Sequence, residues 1–181
     1  GTLGQLPPGA AVLVQTKEDA EKVSLPDPSR AAYASQTTLS VDDVSGIVAV
    51  LTRRFPEIRG PAKADICFAT TNRQTAVKAI ASRTDFLIVV GAPNSSNSNR
   101  LVEVAKLSGA RDAMLVERAA DIDWTRLDGV ATVGLTPGAS APEVLVEEVI
   151  AALGERYTLA IETVTVTRED TVFSLPKALV S

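Results

Sequence analysis

Asp85-Phe86-Leu87-Ile88-Val89-Val90-Gly91-Ala92-Pro93-Asn94-Ser95-Ser96-Asn97-Ser98-Asn99 runs from an unbroken apolar segment into a chain of hydroxyls and amides. Nothing polar interrupts 86–90, and Asp85 and Gly91 bound it. A strand with one wet face alternates between apolar and polar residues. A strand without alternation is covered on both faces, the usual condition of a parallel strand inside a sheet. Past the turn, Leu101, Val104, Ala105 and Leu107 recur at helical spacing and line one face. The segment reads strand, polar loop, helix, the unit from which parallel α/β folds are assembled.

The same alternation extends in both directions. Upstream, 66–69 reads as a short strand ending in Thr70-Thr71-Asn72. Thr71 and Gln74 have capping-box spacing, and a helix is predicted through Val77 and Ile80. Ser40 reads as the N-cap of an earlier helix, with Val41, Val44, Ile47, Val48, Leu51 and Phe55 on one face and Pro56 as its stop. Further back, 31–34 and 11–14 are strand candidates, and Thr16 caps a short helix through Glu21. Downstream, 113–116 and 130–135 read as strands. Ser140, Pro142 and Glu143 then form a helix start, followed by Val146, Val149, Ile150 and Leu153. The stretches 158–167 and 172–175 read as strands. The expected fold is α/β, with parallel sheets flanked by helices and a boundary near Pro61.

Composition narrows the functions. The chain has 181 residues, 45% of them hydrophobic and 22% charged, enough to build a core without a staple. A net charge of -4 and a pI near 4.9 exclude the basic face that nucleic-acid binding needs. No apolar run is long enough to span a membrane, and residues 1–5 do not read as a signal peptide. One cysteine, Cys67, excludes an internal disulfide. The absence of histidine removes the commonest general base and the commonest zinc ligand from these residues.

Four helices are predicted to start just after clusters of small polar residues: Thr37-Thr38-Leu39-Ser40, Thr70-Thr71-Asn72, Asn94 to Asn99, and Thr136 to Ser140. In a parallel sheet such loops lie at the carboxyl ends of strands, where α/β proteins bind ligands. A helix N-terminus there presents unpaired N–H groups and a partial positive charge. The natural guest is an anion, most simply phosphate or diphosphate. Serine, threonine and asparagine are also the usual caps, so capping alone explains any single cluster. The run after Pro93 is longer than a cap needs. Neither Gly-x-x-x-x-Gly-Lys nor Gly-x-Gly-x-x-Gly occurs, so the anion would be held by neutral donors. Cys67, inside an apolar segment, reads from spacing alone as a small buried hydrophobe. Asp42-Asp43 fit a helix first turn, and Glu147-Glu148 a solvated face.

Four segments carry a more specific signal. Ser35-Gln36-Thr37-Thr38-Leu39-Ser40-Val41-Asp42-Asp43, Asp65-Ile66-Cys67-Phe68-Ala69-Thr70-Thr71-Asn72-Arg73-Gln74, Asn94-Ser95-Ser96-Asn97-Ser98-Asn99-Arg100-Leu101 and Gly138-Ala139-Ser140-Ala141-Pro142 resemble signature segments of the LytB-type reductases, in that family's order and spacing. The resemblance implies reductive dehydroxylation of (E)-4-hydroxy-3-methylbut-2-enyl diphosphate, with two electrons and protons added and water released, giving isopentenyl and dimethylallyl diphosphate. It implies a [4Fe-4S] cluster on three cysteines, a ferredoxin- or flavodoxin-like electron donor, and a cytoplasmic protein. It also implies a fold of three similar α/β units around a central pocket. On that plan 1–60 is half of the second unit, 61–157 the third, and 158–181 a C-terminal tail.

Position by position, Cys67 resembles a cluster ligand, and Thr37 the threonine that touches the substrate hydroxyl and relays protons, with Thr38 beside it. Ser95, Ser96, Asn97 and Ser140 resemble the diphosphate-binding residues. The departures are as clear. The family has two more cluster cysteines, several histidines and a His-Pro-Glu acid, which the resemblance places in a missing N-terminal part of the same protein. These 181 residues are therefore expected neither to hold the cluster nor to turn over alone. The alternative is a non-catalytic diphosphate-binding α/β module.

Overall fold

In the computed structural model, described over residues 2–62 and 65–166, the chain folds around one three-stranded sheet. The apolar run forms β1 (Phe86–Val90), the central strand. It pairs in parallel with β2 (Asp112–Val116) on one side and β3 (Val133–Pro137) on the other. Both faces of β1 are covered, which is why its sequence lacks alternation. Leu87 and Val89 pack with Val77 and Ala81 of α3 (Phe68–Ala81) and with Leu101, Val104 and Ala105 of α4 (Ser96–Leu107). Phe86, Ile88 and Val90 face Val149 and Leu153 of α5 (Glu143–Gly154) and the short 3-10 turns Ala119–Asp121 and Trp124–Leu127. Burying one such side chain contributes roughly 1.5–3 kcal/mol, so the five residues of β1 anchor both layers.

The preceding part is helical. Helix α1 (Lys17–Lys22) starts at Thr16, whose hydroxyl and the Asp19 carboxylate form a reciprocal capping box. Helix α2 (Val41–Arg54) is capped by Ser40, whose Oγ accepts the Asp43 N–H at 3.3 Å. Ala20 and Leu51 are buried, while Arg53 pairs with Glu21 and Arg54 donates to the Ala20 carbonyl.

Several expected elements differ. Residues 11–14 form no strand; they lie mostly exposed and unpaired. Of 31–34 only a single parallel bridge forms, Ala32 with Arg59. No strand forms at 66–69, because the Cys67 side chain accepts the Thr70 N–H and starts α3 at Phe68. Ser140 does not cap α5, whose N-cap is Pro142 without a side-chain bond. Strand β3 lies three residues later than the apolar pattern indicated, at Val133–Pro137 rather than from 130. Residues 158–166 alternate in sequence but are exposed throughout and unpaired in any sheet. The rest of that stretch and the expected strand at 172–175 lie outside the described residues. Among the described residues no helix is long and apolar enough to cross a membrane.

Candidate functional site

The parallel sheet sets the loops after β1 and β3 side by side. The Gly138 N–H donates to the Val90 carbonyl at 2.8 Å, joining the two strand ends. Ser98, in the first turn of α4 and 1% exposed, fills the space between Gly91 and Gly138. A Cβ on Gly91 would lie 2.2 Å from Ser98 Oγ, and one on Gly138 2.3 Å from it. Ser98 Oγ in turn donates to Ser95 Oγ at 3.0 Å, and Ser95 Oγ, the N-cap, accepts the Ser98 N–H at 3.2 Å. Asn99 Nδ2 donates to the carbonyls of Pro93 (2.8 Å) and Ser95 (3.0 Å). The polar run after Pro93 is thus divided: Ser95, Ser98 and Asn99 build the turn, while Ser96 is exposed.

Asn97 is the exception within the turn. Its side chain is 6% exposed, yet neither Nδ2 nor Oδ1 has a hydrogen-bond partner among the described residues. Leaving a buried amide unpaired costs roughly 1–3 kcal/mol per group. Capping therefore does not account for Asn97.

A cavity of about 300 Å³ opens beside this turn. Gln36, Thr38 and Leu39 form one side; Asn94, Ser96, Asn99, Arg100 and Glu103 form the other. Thr38 and Ser96 are thereby brought to one cavity, whereas Thr37, Ser95, Asn97 and Ser140 lie outside its lining. Ser140 is exposed and free of any capping role. Arg100 is the one cationic side chain on the lining, and it arrives paired: its guanidinium bonds Glu103 and lies 3.7 Å from Asp43.

Thr37 meets Cys67 instead. The Cys67 N–H donates to the Thr37 carbonyl at 3.2 Å, which fixes the 37–40 turn against the start of α3. Cys67 is exposed, and its Sγ lies 3.4 Å from both the hydroxyl and the amide nitrogen of Thr70. Those two contacts, the hydroxyl first, hold the thiol below its ordinary pKa, as expected for sulfur capping a helix. The core reading of Cys67 taken from spacing is thereby corrected: a capping thiol at a helix start points outward, not into the sheet. Its chemistry suits one thiolate ligand of a metal cluster. Among the described residues no group of three or more His, Cys, Asp or Glu stands ready to hold a metal, and the sequence has no second thiol. The chain fits one corner of a cluster and not the whole of it.

Sequence reasoning missed two structural contributors. Asp65 accepts the Ser35 N–H at 2.5 Å, and Gln74 is buried against the 39–41 segment. Both partners are remote in sequence, so no local pattern marks them.

A parallel sheet whose strand ends carry polar loops ahead of helices, with the exposed Cys67 thiol capping a helix nearby, defines an α/β protein with its candidate site at the carboxyl ends of the strands. The family model described as LytB protein matches residues 1–154, and the chain belongs to that family. Among its relatives, 4-hydroxy-3-methylbut-2-enyl diphosphate reductase 2 of Rhodopseudomonas palustris is 56% identical over 179 residues, covering 99% of this chain and 56% of the relative. The 4-hydroxy-3-methylbut-2-enyl diphosphate reductase of Paracoccus denitrificans is 58% identical, covering 99% of this chain and 57% of the relative. The solved structure of the E-1-hydroxy-2-methyl-but-2-enyl-4-diphosphate reductase from Plasmodium falciparum is 32% identical, with a TM-score of 0.82, covering 92% of this chain and 53% of that one. The chain spans about half the length of the curated relatives it matches.

Proposed function

We propose that the chain supplies the diphosphate-binding wall and one cluster thiolate of a 4-hydroxy-3-methylbut-2-enyl diphosphate reductase. Its relatives bear that name, and the chain covers 56% and 57% of their length. Ser95, Ser96, Asn97 and Ser140 hold the diphosphate through neutral donors. Thr37, with Thr38 beside it, meets the allylic hydroxyl and holds a proton at its Oγ. Cys67 Sγ would be one thiolate ligand of a [4Fe-4S] cluster, which would supply electrons received from a ferredoxin- or flavodoxin-like donor. The remaining ligands come from residues outside this chain.

The observation that carries the reading is the buried, unpartnered amide of Asn97 at the start of α4. A buried polar group without a protein partner asks for one from a ligand or water, and a helix N-terminus favours an anion. Titration calorimetry with inorganic diphosphate tests it. Binding in the millimolar range (about 4 kcal/mol) is expected for the unaltered chain, weakened several-fold by Asn97→Ala and by Ser95→Ala with Ser96→Ala. Variants that lose stability but keep the parent affinity would reduce these side chains to caps and end the proposal.

The lone thiol favours a second reading for the chain by itself, a diphosphate-binding module without redox chemistry. Anaerobic iron–sulfide reconstitution separates the two. Iron held at cluster stoichiometry by a chain that contains Cys67, and lost in Cys67→Ser, speaks for the reductase role. Diphosphate binding with no iron uptake, alone or mixed with a fragment carrying the missing ligands, speaks for the module.

A further inference from the structure

Among the described residues Gln74 is the largest polar side chain that is fully enclosed, 1% exposed in the middle of α3. Its expected role in a capping box with Thr71 does not occur, since Thr71 lies within the helix and its hydroxyl donates to the Cys67 carbonyl at 3.3 Å. Gln74 points the other way. Its Nε2 donates to the Leu39 carbonyl at 2.8 Å, and its Oε1 accepts the Val41 N–H at 3.0 Å. One amide therefore satisfies a donor and an acceptor of the backbone on both sides of Ser40.

These two bonds and the Cys67 N–H bond to the Thr37 carbonyl grip the same short turn from the same helix. The turn carries Thr37 and Thr38, and with Gln36 and Leu39 it forms one side of the polar cavity. Nearby, Lys78 pairs with Asp42 at 2.7 Å, a partly exposed contact that adds little. A buried amide with both groups satisfied is far more directional, and removing it leaves an N–H and a carbonyl unpaired.

We infer that Gln74 is a positioning residue: its side-chain amide fixes the Thr37–Thr38 turn relative to Cys67 and to the polar run of α4. The inference rests on the diphosphate reading for its functional meaning, but the clamp can be measured without any ligand. Gln74→Met keeps length and burial and removes both bonds. Gln74→Glu keeps the acceptor for Val41, and on protonation recovers the donor for Leu39.

Amide hydrogen exchange of the parent and both variants is the decisive measurement, combined with titration by inorganic diphosphate. In Gln74→Met, exchange at Val41 is expected to rise roughly tenfold, the effect of one net hydrogen bond. Exchange at Cys67 should rise with it, although Gln74 does not touch that N–H, while Val77 in the helix interior stays protected. Diphosphate binding should weaken several-fold. Gln74→Glu should leave Val41 protected but share the losses at Cys67 and in diphosphate binding at neutral pH, and reverse them as pH falls, whereas Gln74→Met should not.

A faster Val41 with unchanged Cys67 exchange would make the contact merely local and overturn the inference. So would parent-like exchange at both amides, or parent-like diphosphate binding in a folded Gln74→Met. If the parent itself binds no diphosphate, the functional reading falls, and the exchange at Val41 and Cys67 alone decides whether Gln74 positions the turn.

Discussion

Replacing Gly138 by alanine probes the closest packing at the site. The added Cβ would lie 2.3 Å from Ser98 Oγ, but 3.5 Å from Ser98 Cβ and 3.6 Å from the Val90 carbonyl oxygen. The obstruction is thus one oxygen. That oxygen is locked by burial and by its bond to Ser95 Oγ, so the methyl acts as overpacking, worth about 1–3 kcal/mol. Ser98→Ala removes the obstruction at the cost of one hydrogen bond, about 0.5–1.5 kcal/mol net, partly offset by alanine's better helix propensity, roughly 0.5 kcal/mol.

In the Ser98→Ala background the nearest atom to the new methyl is the remaining Cβ at 3.5 Å, an ordinary contact. Gly138 does not need a positive φ. Alanine there then restricts the unfolded chain and adds about 0.4–1 kcal/mol of stability. Gly138→Ala should change from destabilising to neutral or better, a coupling of about 1.5–3 kcal/mol between the two sites. Gly91→Ala is the internal control. Its Cβ would still lie 2.9 Å from Ser98 Cβ, so Ser98→Ala rescues it only partly. Equilibrium urea unfolding, read by the fluorescence of the single tryptophan, Trp124, supplies the four stabilities of each cycle. Equal damage from Gly138→Ala with and without Ser98→Ala, or equal rescue of both glycines, refutes the interlock.

Three other outcomes are expected. Asp112 accepts from Arg126 and Lys106, which hold its carboxyl well below the usual carboxylate range; with the partners more than a third exposed, Asp112→Asn costs less than about 1 kcal/mol at neutral pH. Because the folded pKa is depressed, that contribution is complete above about pH 4 and disappears as pH falls below it, so unfolding curves of parent and variant converge in acid. Thr70→Val removes the hydroxyl that most lowers the Cys67 thiol, so the pH profile of Cys67 alkylation by iodoacetamide in the metal-free chain moves to higher pH; an unmoved profile contradicts the assigned cause. Glu103→Gln releases Arg100 from the nearer of its two carboxylate partners and tightens diphosphate binding about threefold at low salt, by calorimetry; unchanged affinity places the anion outside the cavity.

How much of this was legible in the residues follows from where each side chain finds its partner. Strand β1 was readable because coverage of both faces leaves a direct trace, five apolar residues without alternation. Helix α2 was readable because Ser40, its acidic first turn and its basic last turn are local signals. The start of α3 was not, since a thiol does the capping and the residues after it are as apolar as a strand. The alternation in 158–166 misled for the opposite reason: period two makes a strand only when a neighbour pairs with it, and these residues are exposed and unpaired. At the candidate site, the hydroxyl and amide clusters are visible in the sequence, but which of them line the cavity, Thr38 and Ser96, is not. Gln74 and Asp65 did not, because their partners lie 33 to 35 and 30 residues away.

The charge balance of the cavity explains why neutral donors dominate it. Arg100 alone among the lining residues is cationic, and both Glu103 and Asp43 answer it. The whole chain is at net -4, so no background field draws an anion in. What remains is the α4 N-terminus, equivalent to about half a positive charge and worth roughly 0.3–1 kcal/mol when exposed, with directed hydroxyl and amide dipoles around it. Such groups discriminate by geometry more than by charge: they must be in place before the ligand arrives, because none is strong enough to reorganise the loop on its own. On the proposed diphosphate reading, the glycine pair closing on Ser98 and Gln74 buried behind the opposite turn would meet that requirement. The two sides of the cavity are backed by separate contacts, one steric around Ser98 and one hydrogen-bonded through Gln74, so on the proposed reading a change behind either side should weaken diphosphate binding without altering the other.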